Sequence, residues 1–172
     1  AGLPLSLEEI NAELARRQKG YGRGERQQIE RDEARLLGGV IQGHTIGAPL
    51  ALLIANRDYA NWRERAVPPW TRPRPGHADL AGSRKYGLGD LRLVAERASA
   101  RETAARVAAG AVAKQLLSQA GARVGSYVEA IGGERATVDA LPLAERLAQA
   151  LSSDVSCPDA EAAARMRARI DA

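Results

Sequence analysis

Arg72-Pro73-Arg74-Pro75-Gly76-His77-Ala78-Asp79 presents one histidine on a stiff, cationic, glycine-jointed turn, an arrangement suited to acid chemistry on an anion. Imidazole is the side chain whose ordinary titration lies nearest neutrality, so it can hold a proton and lend it. Each proline fixes φ and removes a backbone donor, while Gly76 lets the chain bend where the ring must be aimed. The plainer alternative is a surface loop that happens to contain a histidine.

Two further cationic segments supply what such an acid would need around it. In Glu96-Arg97-Ala98-Ser99-Ala100-Arg101-Glu102-Thr103, Ser99 and Glu102 have the spacing of a capping box. The amides of that helix start, with Arg97 and Arg101 beside them, form an anion site. The second segment, Arg16 to Arg26, sets five basic residues against one acidic one around three glycines. Arginines there can offer planar forks to carboxylates or phosphates, each charge-assisted bond worth about 1.5–3 kcal/mol. The alternatives are an ordinary capped helix and a solvated basic run.

The elements that must hold these segments read as α+β. A helix over 6–17 starts with a Ser6 to Glu9 capping box and carries Leu7, Ile10 and Leu14 on one face. Strands are expected near Gln27–Glu30, Arg35–Gln42 and Pro49–Ala55, with His44 at a turn and no role assigned to it. Residues 56–96 read mostly as loop with brief helical pieces. A helix over 100–119 carries a stripe of Ala104, Val107, Ala108, Ala111, Val112 and Leu116, small enough for close packing against another layer. A strand at Arg123–Ile131 and amphipathic helices over Leu141–Ser152 and Asp159–Asp171 complete the pattern.

Composition narrows the classes. At 172 residues the chain can hold one domain with its own core, and residues 1–172 are read as that domain. The net charge of +4 suits anionic ligands and equally nucleic acid. In the nucleic-acid reading Tyr21, Trp62 and Trp70 would be stacking platforms, but aromatics are too few to interleave with the arginines. Cys157 stands alone, so no intrachain disulfide forms. No apolar run reaches the length of a membrane span, and no signal peptide is visible.

The strings GLPLS, ELARRQKGYGRG, IANRDYANW, RPRPGHADLAG, KYG and RASARETAARVAAGAVAK, in that order, resemble chorismate synthase closely from Ala1 to about Gly133. Ser156-Cys157-Pro158-Asp159 and the Ala-rich stretch after it also look like the family. The resemblance implies helices layered between antiparallel sheets, a homotetramer and a cytoplasmic location, with no nucleic-acid or membrane partner. It implies a lyase that eliminates phosphate from 5-enolpyruvylshikimate 3-phosphate to give chorismate. Reduced FMN is required although the reaction is redox-neutral, with NADPH a candidate reductant for the flavin. A substrate with two carboxylates and a phosphate also explains a site rich in arginine.

By position, the resemblance assigns Arg17, Arg23, Arg26, Arg74 and Arg101 to the substrate's anionic groups. It assigns Arg97, Ala98 and Ser99 to the flavin and His77 to the acid beside it. The family's opening Gly-Glu-Ser-His-Gly segment, with a second catalytic histidine, has no match in this chain, nor has its second half, with a catalytic aspartate. The chain is therefore read as an N-terminal portion of the family's fold, with a short stretch between Asn61 and Thr71.

Overall fold

The computed structural model describes residues 1–22, 31–98 and 100–172. Helix α1 (Leu7–Gln18) packs its buried Ile10 and Leu14 against α5 (Ala100–Gln119), which presents Ala104, Ala108 and Ala111. Alanines at helical spacing let the two helices approach closely, and the apolar area removed from water holds them together. Leu52, Ile54, Val107 and Val112 close the edges of this core. Leu116 leaves the expected stripe and is 58% exposed.

The start of α1 only half follows the capping-box expectation. Ser6 Oγ accepts from Glu9 N–H at 3.1 Å, as a cap should. The reciprocal arm is replaced: Ser6 N–H donates to Gln115 Oε1 at 2.7 Å, and Gln115 Nε2 donates back to Ser6 O at 3.0 Å. A buried glutamine from α5 thus caps α1 and ties the two helices together.

The expected strand over Arg35–Gln42 is broken at Gly39, which has φ +89° and backs onto Pro49 O and Leu50. Strands β1 (Ala34–Gly38) and β2 (Val40–Ile41) result. β1 pairs antiparallel with β4 (Ala51–Ile54), and β2 pairs with β3 (His44–Thr45) across a tight turn at Gln42 and Gly43. Both turn residues have positive φ, which matches the right-handed twist of a short hairpin. His44 is exposed, with Nδ1 3.0 Å from Gln42 O. The strand expected near Gln27–Glu30 lies outside the described residues.

Residues 56–96 hold three helices: α2 (Tyr59–Trp62), α3 (Asp79–Tyr86) and α4 (Leu91–Glu96). α3 ends on Gly87 in the left-handed region, and α4 starts on Asp90, whose carboxylate accepts from Arg92 N–H and Trp70 N–H, both at 3.0 Å. Those two amides hold the Asp90 carboxyl below its usual range. Gly82 lets α3 lie directly on Val94 of α4.

In the last third, β5 (Ala130–Ile131) pairs with β6 (Glu134–Arg135), and helices α6 (Leu143–Ser152) and α7 (Ala160–Asp171) follow. Val155, Cys157, Ala162, Ala163 and Met166 form a second buried cluster. The strand expected over Arg123–Ile131 survives only at its end. Val128 N–H donates to Ser156 O, but no strand lies alongside residues 123–127 among the described residues, and a strand needs a partner for its backbone groups. The α+β class holds, with three two-stranded antiparallel sheets among the described residues.

Gly82→Ala tests the α3–α4 contact. A Cβ there collides with buried Val94, so the substitution is expected to lower stability by about 1–2 kcal/mol in urea unfolding, although alanine favours a helix. An unchanged or raised midpoint would show that the contact relaxes freely.

Candidate active site

Two of the expected substrate arginines meet on a residue that sequence reasoning missed. Asp32 is 6% exposed and its carboxylate takes one guanidinium on each oxygen. Oδ2 accepts from Arg17 Nη1 at 2.8 Å, and Oδ1 accepts from Arg101 Nη1. Arg17 stands in the last turn of α1 and Arg101 in the first turn of α5, so the packing of Ile10 and Leu14 on Ala104 and Ala108 brings them together. Arg101 Nη2 also donates to Ile54 O and Ala55 O, both at 3.1 Å. A sequence signal for Asp32 was faint: it is one of three acids, with Glu30 and Glu33, just before an alternating strand, and nothing local singles it out.

The histidine turn is closed by a second buried carboxylate. Asp79, at the start of α3, has no exposed surface, and Arg74 satisfies it three times. Arg74 Nε and backbone N–H donate to Oδ2 at 2.8 and 2.9 Å, and Nη2 donates to Oδ1 at 2.9 Å. The Arg74 guanidinium and amide hold the Asp79 carboxyl well below the usual carboxylate range. Within that clamp, His77 N–H donates to Arg74 O at 3.3 Å and Gly76 has φ +71°, the Pro-Gly pattern of a type II turn. His77 closes the turn and is exposed. Arg74 also lies over the Trp70 ring, 4.8 Å from its centroid, and Trp70 is pinned by Asp90 and Leu91. Its Nη1 has no partner among the described residues.

Arg97 follows α4 and lies 4.7 Å over the Tyr86 ring. Its guanidinium, with Lys85 beside it, holds the Tyr86 phenol below its usual range. Ala98 continues the turn, donating to Ala95 O at 3.0 Å. Ser99, Arg23 and Arg26 lie outside the described residues. No hydrogen bond or ion pair joins the Asp32, Asp79 and Tyr86 groups to one another among the described residues. A cavity of about 620 Å³ lies between α1, α5 and α6 and includes none of His77, Arg74, Arg97 or Arg101. No group of acids, histidines and cysteine suited to a metal ion occurs among the described residues.

Tyr21, Trp62 and Trp70, the stacking platforms of the nucleic-acid reading, are each engaged within the chain. Tyr21 donates to Asp171, Trp62 donates to Asp58, and Trp70 lies under Arg74.

Fold and site together define an α+β protein with arginines set on two buried carboxylates, Arg17 and Arg101 on Asp32 and Arg74 on Asp79, the second of them in the turn that carries the exposed His77. Guanidinium groups so held are suited to anionic groups. The chain belongs to the chorismate synthase family, whose family model matches residues 1–172. It is 56% identical over 180 residues to the chorismate synthase of Rubrobacter xylanophilus, covering 100% of this chain and 46% of that protein. It is 53% identical over 183 residues to that of Geobacillus kaustophilus, covering 99% and 47%. A crystal structure of chorismate synthase superposes with a TM-score of 0.75 at 42% identity, over 99% of this chain and 46% of that one. The chain thus spans about half the length of the curated relatives it matches. Nothing in the comparisons supports a nucleic-acid-binding module.

The depressed Asp79 titration gives a pH signature. Its stabilising effect is full above the unfolded carboxyl's range near pH 4 and is lost as pH falls further toward the folded value. Thermal melting is therefore expected to decline more steeply below pH 4 in the wild type than in Asp79→Asn. Parallel profiles would mean that the clamp adds nothing to stability.

Proposed function

We propose that this chain contributes to a chorismate synthase active site, which eliminates phosphate from 5-enolpyruvylshikimate 3-phosphate in a lyase reaction without net redox change. The observation that carries the reading is the meeting of Arg17 and Arg101, from opposite ends of two packed helices, on one buried carboxylate. Guanidinium groups match carboxylate and phosphate geometry, and this substrate bears both. Arg74 joins them through Nη1, with Arg23 and Arg26 in the same role. His77 serves as the acid: its exposed ring nitrogen holds a proton that it lends as charge develops.

The donor set around Arg97 fits a phosphorylated cofactor. An exposed guanidinium stacked on Tyr86, with Lys85 beside it, precedes the start of α5, where amides and the helix dipole favour an anion. Arg97, Ala98 and Ser99 would hold reduced FMN there. A flavin held there would supply electron density transiently to the substrate. NADPH is the proposed reductant for the flavin.

A homotetramer is the proposed assembly, supported by the outward leucines Leu37 and Leu53 on the β1–β4 pair, 61% and 43% exposed. The cytoplasm is the proposed location; among the described residues no helix is long and apolar enough to cross a membrane.

Anaerobic phosphate release from 5-enolpyruvylshikimate 3-phosphate with chemically reduced FMN tests the reading in the full-length protein. Release should depend on the reduced flavin, and His77→Ala should lower kcat by about 10²- to 10⁴-fold. A folded, flavin-binding protein that releases no phosphate would refute the assignment, and full activity in His77→Ala would remove the acid role.

A further inference from the structure

Asp32 is a buried acid to which the proposed reaction gives no task. Its side chain is 1% exposed and stands between guanidinium groups from α1 and α5. The two oxygens of a carboxylate lie a fixed short distance apart, so arginines on opposite oxygens have their separation set as well. The carboxylate is itself held. Asp32 N–H donates to Gln18 Oε1 at 3.2 Å. Two residues on, Ala34 N–H donates to Asn11 Oδ1 at 2.8 Å, and Asn11 Nδ2 donates to Ala34 O at 3.4 Å. Asn11 and Gln18 belong to α1, as does Arg17, so one helix carries both the first cation and the ties that place the acid. Arg101 is fixed from another side by Ile54 O and Ala55 O at the end of β4.

A tie between α1 and α5 needs no charge. Ile10 and Leu14 already pack on Ala104, Ala108 and Ala111, and buried ion pairs are a poor source of net stability. What the carboxylate adds is geometry, together with tolerance of two like charges side by side.

We infer that Asp32 is a positioning residue, setting the spacing and orientation of Arg17 and Arg101 so that a ligand with several anionic groups meets both at once. The inference rests on the reading of those arginines as substrate-binding. A purely electrostatic role has the opposite sign. Removing a negative charge beside two arginines raises the local positive potential and tightens anion binding. Loss of alignment instead weakens a ligand that must meet both cations, and spares an anion that needs only one.

Titration calorimetry of 5-enolpyruvylshikimate 3-phosphate, and separately of inorganic phosphate, into the full-length protein and its Asp32→Asn and Asp32→Glu variants separates these roles. In Asp32→Asn, affinity for the substrate should fall about 10- to 100-fold, while that for phosphate stays within about threefold. Asp32→Glu keeps the charge but displaces both guanidinium groups by a methylene, and it should lose substrate affinity in the same selective way. Substrate binding equal to or tighter than wild type in folded Asp32→Asn overturns the inference. Should that variant fail to fold, an unchanged ratio of substrate to phosphate affinity in Asp32→Glu overturns it. Failure of both variants to fold makes Asp32 structural and overturns it too. A wild-type protein that binds phosphate but not the substrate refutes the proposed function, and this inference with it.

Discussion

A carboxylate taken out of water must find cations or hydrogen-bond donors, and two such carboxylates organise three of the arginines of this chain. Asp32 gathers Arg17 and Arg101; Asp79 gathers Arg74. In each case the acid is more deeply buried than the arginines it holds. The cations are thereby fixed at the boundary between core and solvent, with long side chains already ordered.

The apolar packing around these acids is built mainly from small residues. Ala104, Ala108 and Ala111 bring α5 against α1, and Gly82 brings α3 against α4. Close approach matters because hydrogen bonds tolerate little slack: Gln115 can cap Ser6 and Arg101 can reach Asp32 only if the helices nearly touch. The same economy of size explains a core without phenylalanine. Large side chains would push apart the helices whose termini carry the charges.

Local rules made much of this legible in the sequence. The helices over 100–119 and 159–171 and the end of α1 follow from apolar periodicity, and the His77 turn from Pro75 and Gly76. Errors arose where a distant residue supplied the partner. Gln115 took the place of the capping box's second arm, and residues 123–127 have no strand partner among the described residues because β-propensity alone cannot provide a neighbouring strand. The sequence also did not show that Arg74 gives Nε and Nη2 to Asp79.

The sequence by itself determined which residues can do chemistry, because side-chain type fixes charge, donors and acidity, and it determined family membership through ordered strings of them. Tertiary structure decided which of those residues meet. Asp32 carries no local pattern that marks it, since its partners lie in the last turn of α1 and the first turn of α5. Its pairing follows only from the burial of an acid at the place where two helices converge.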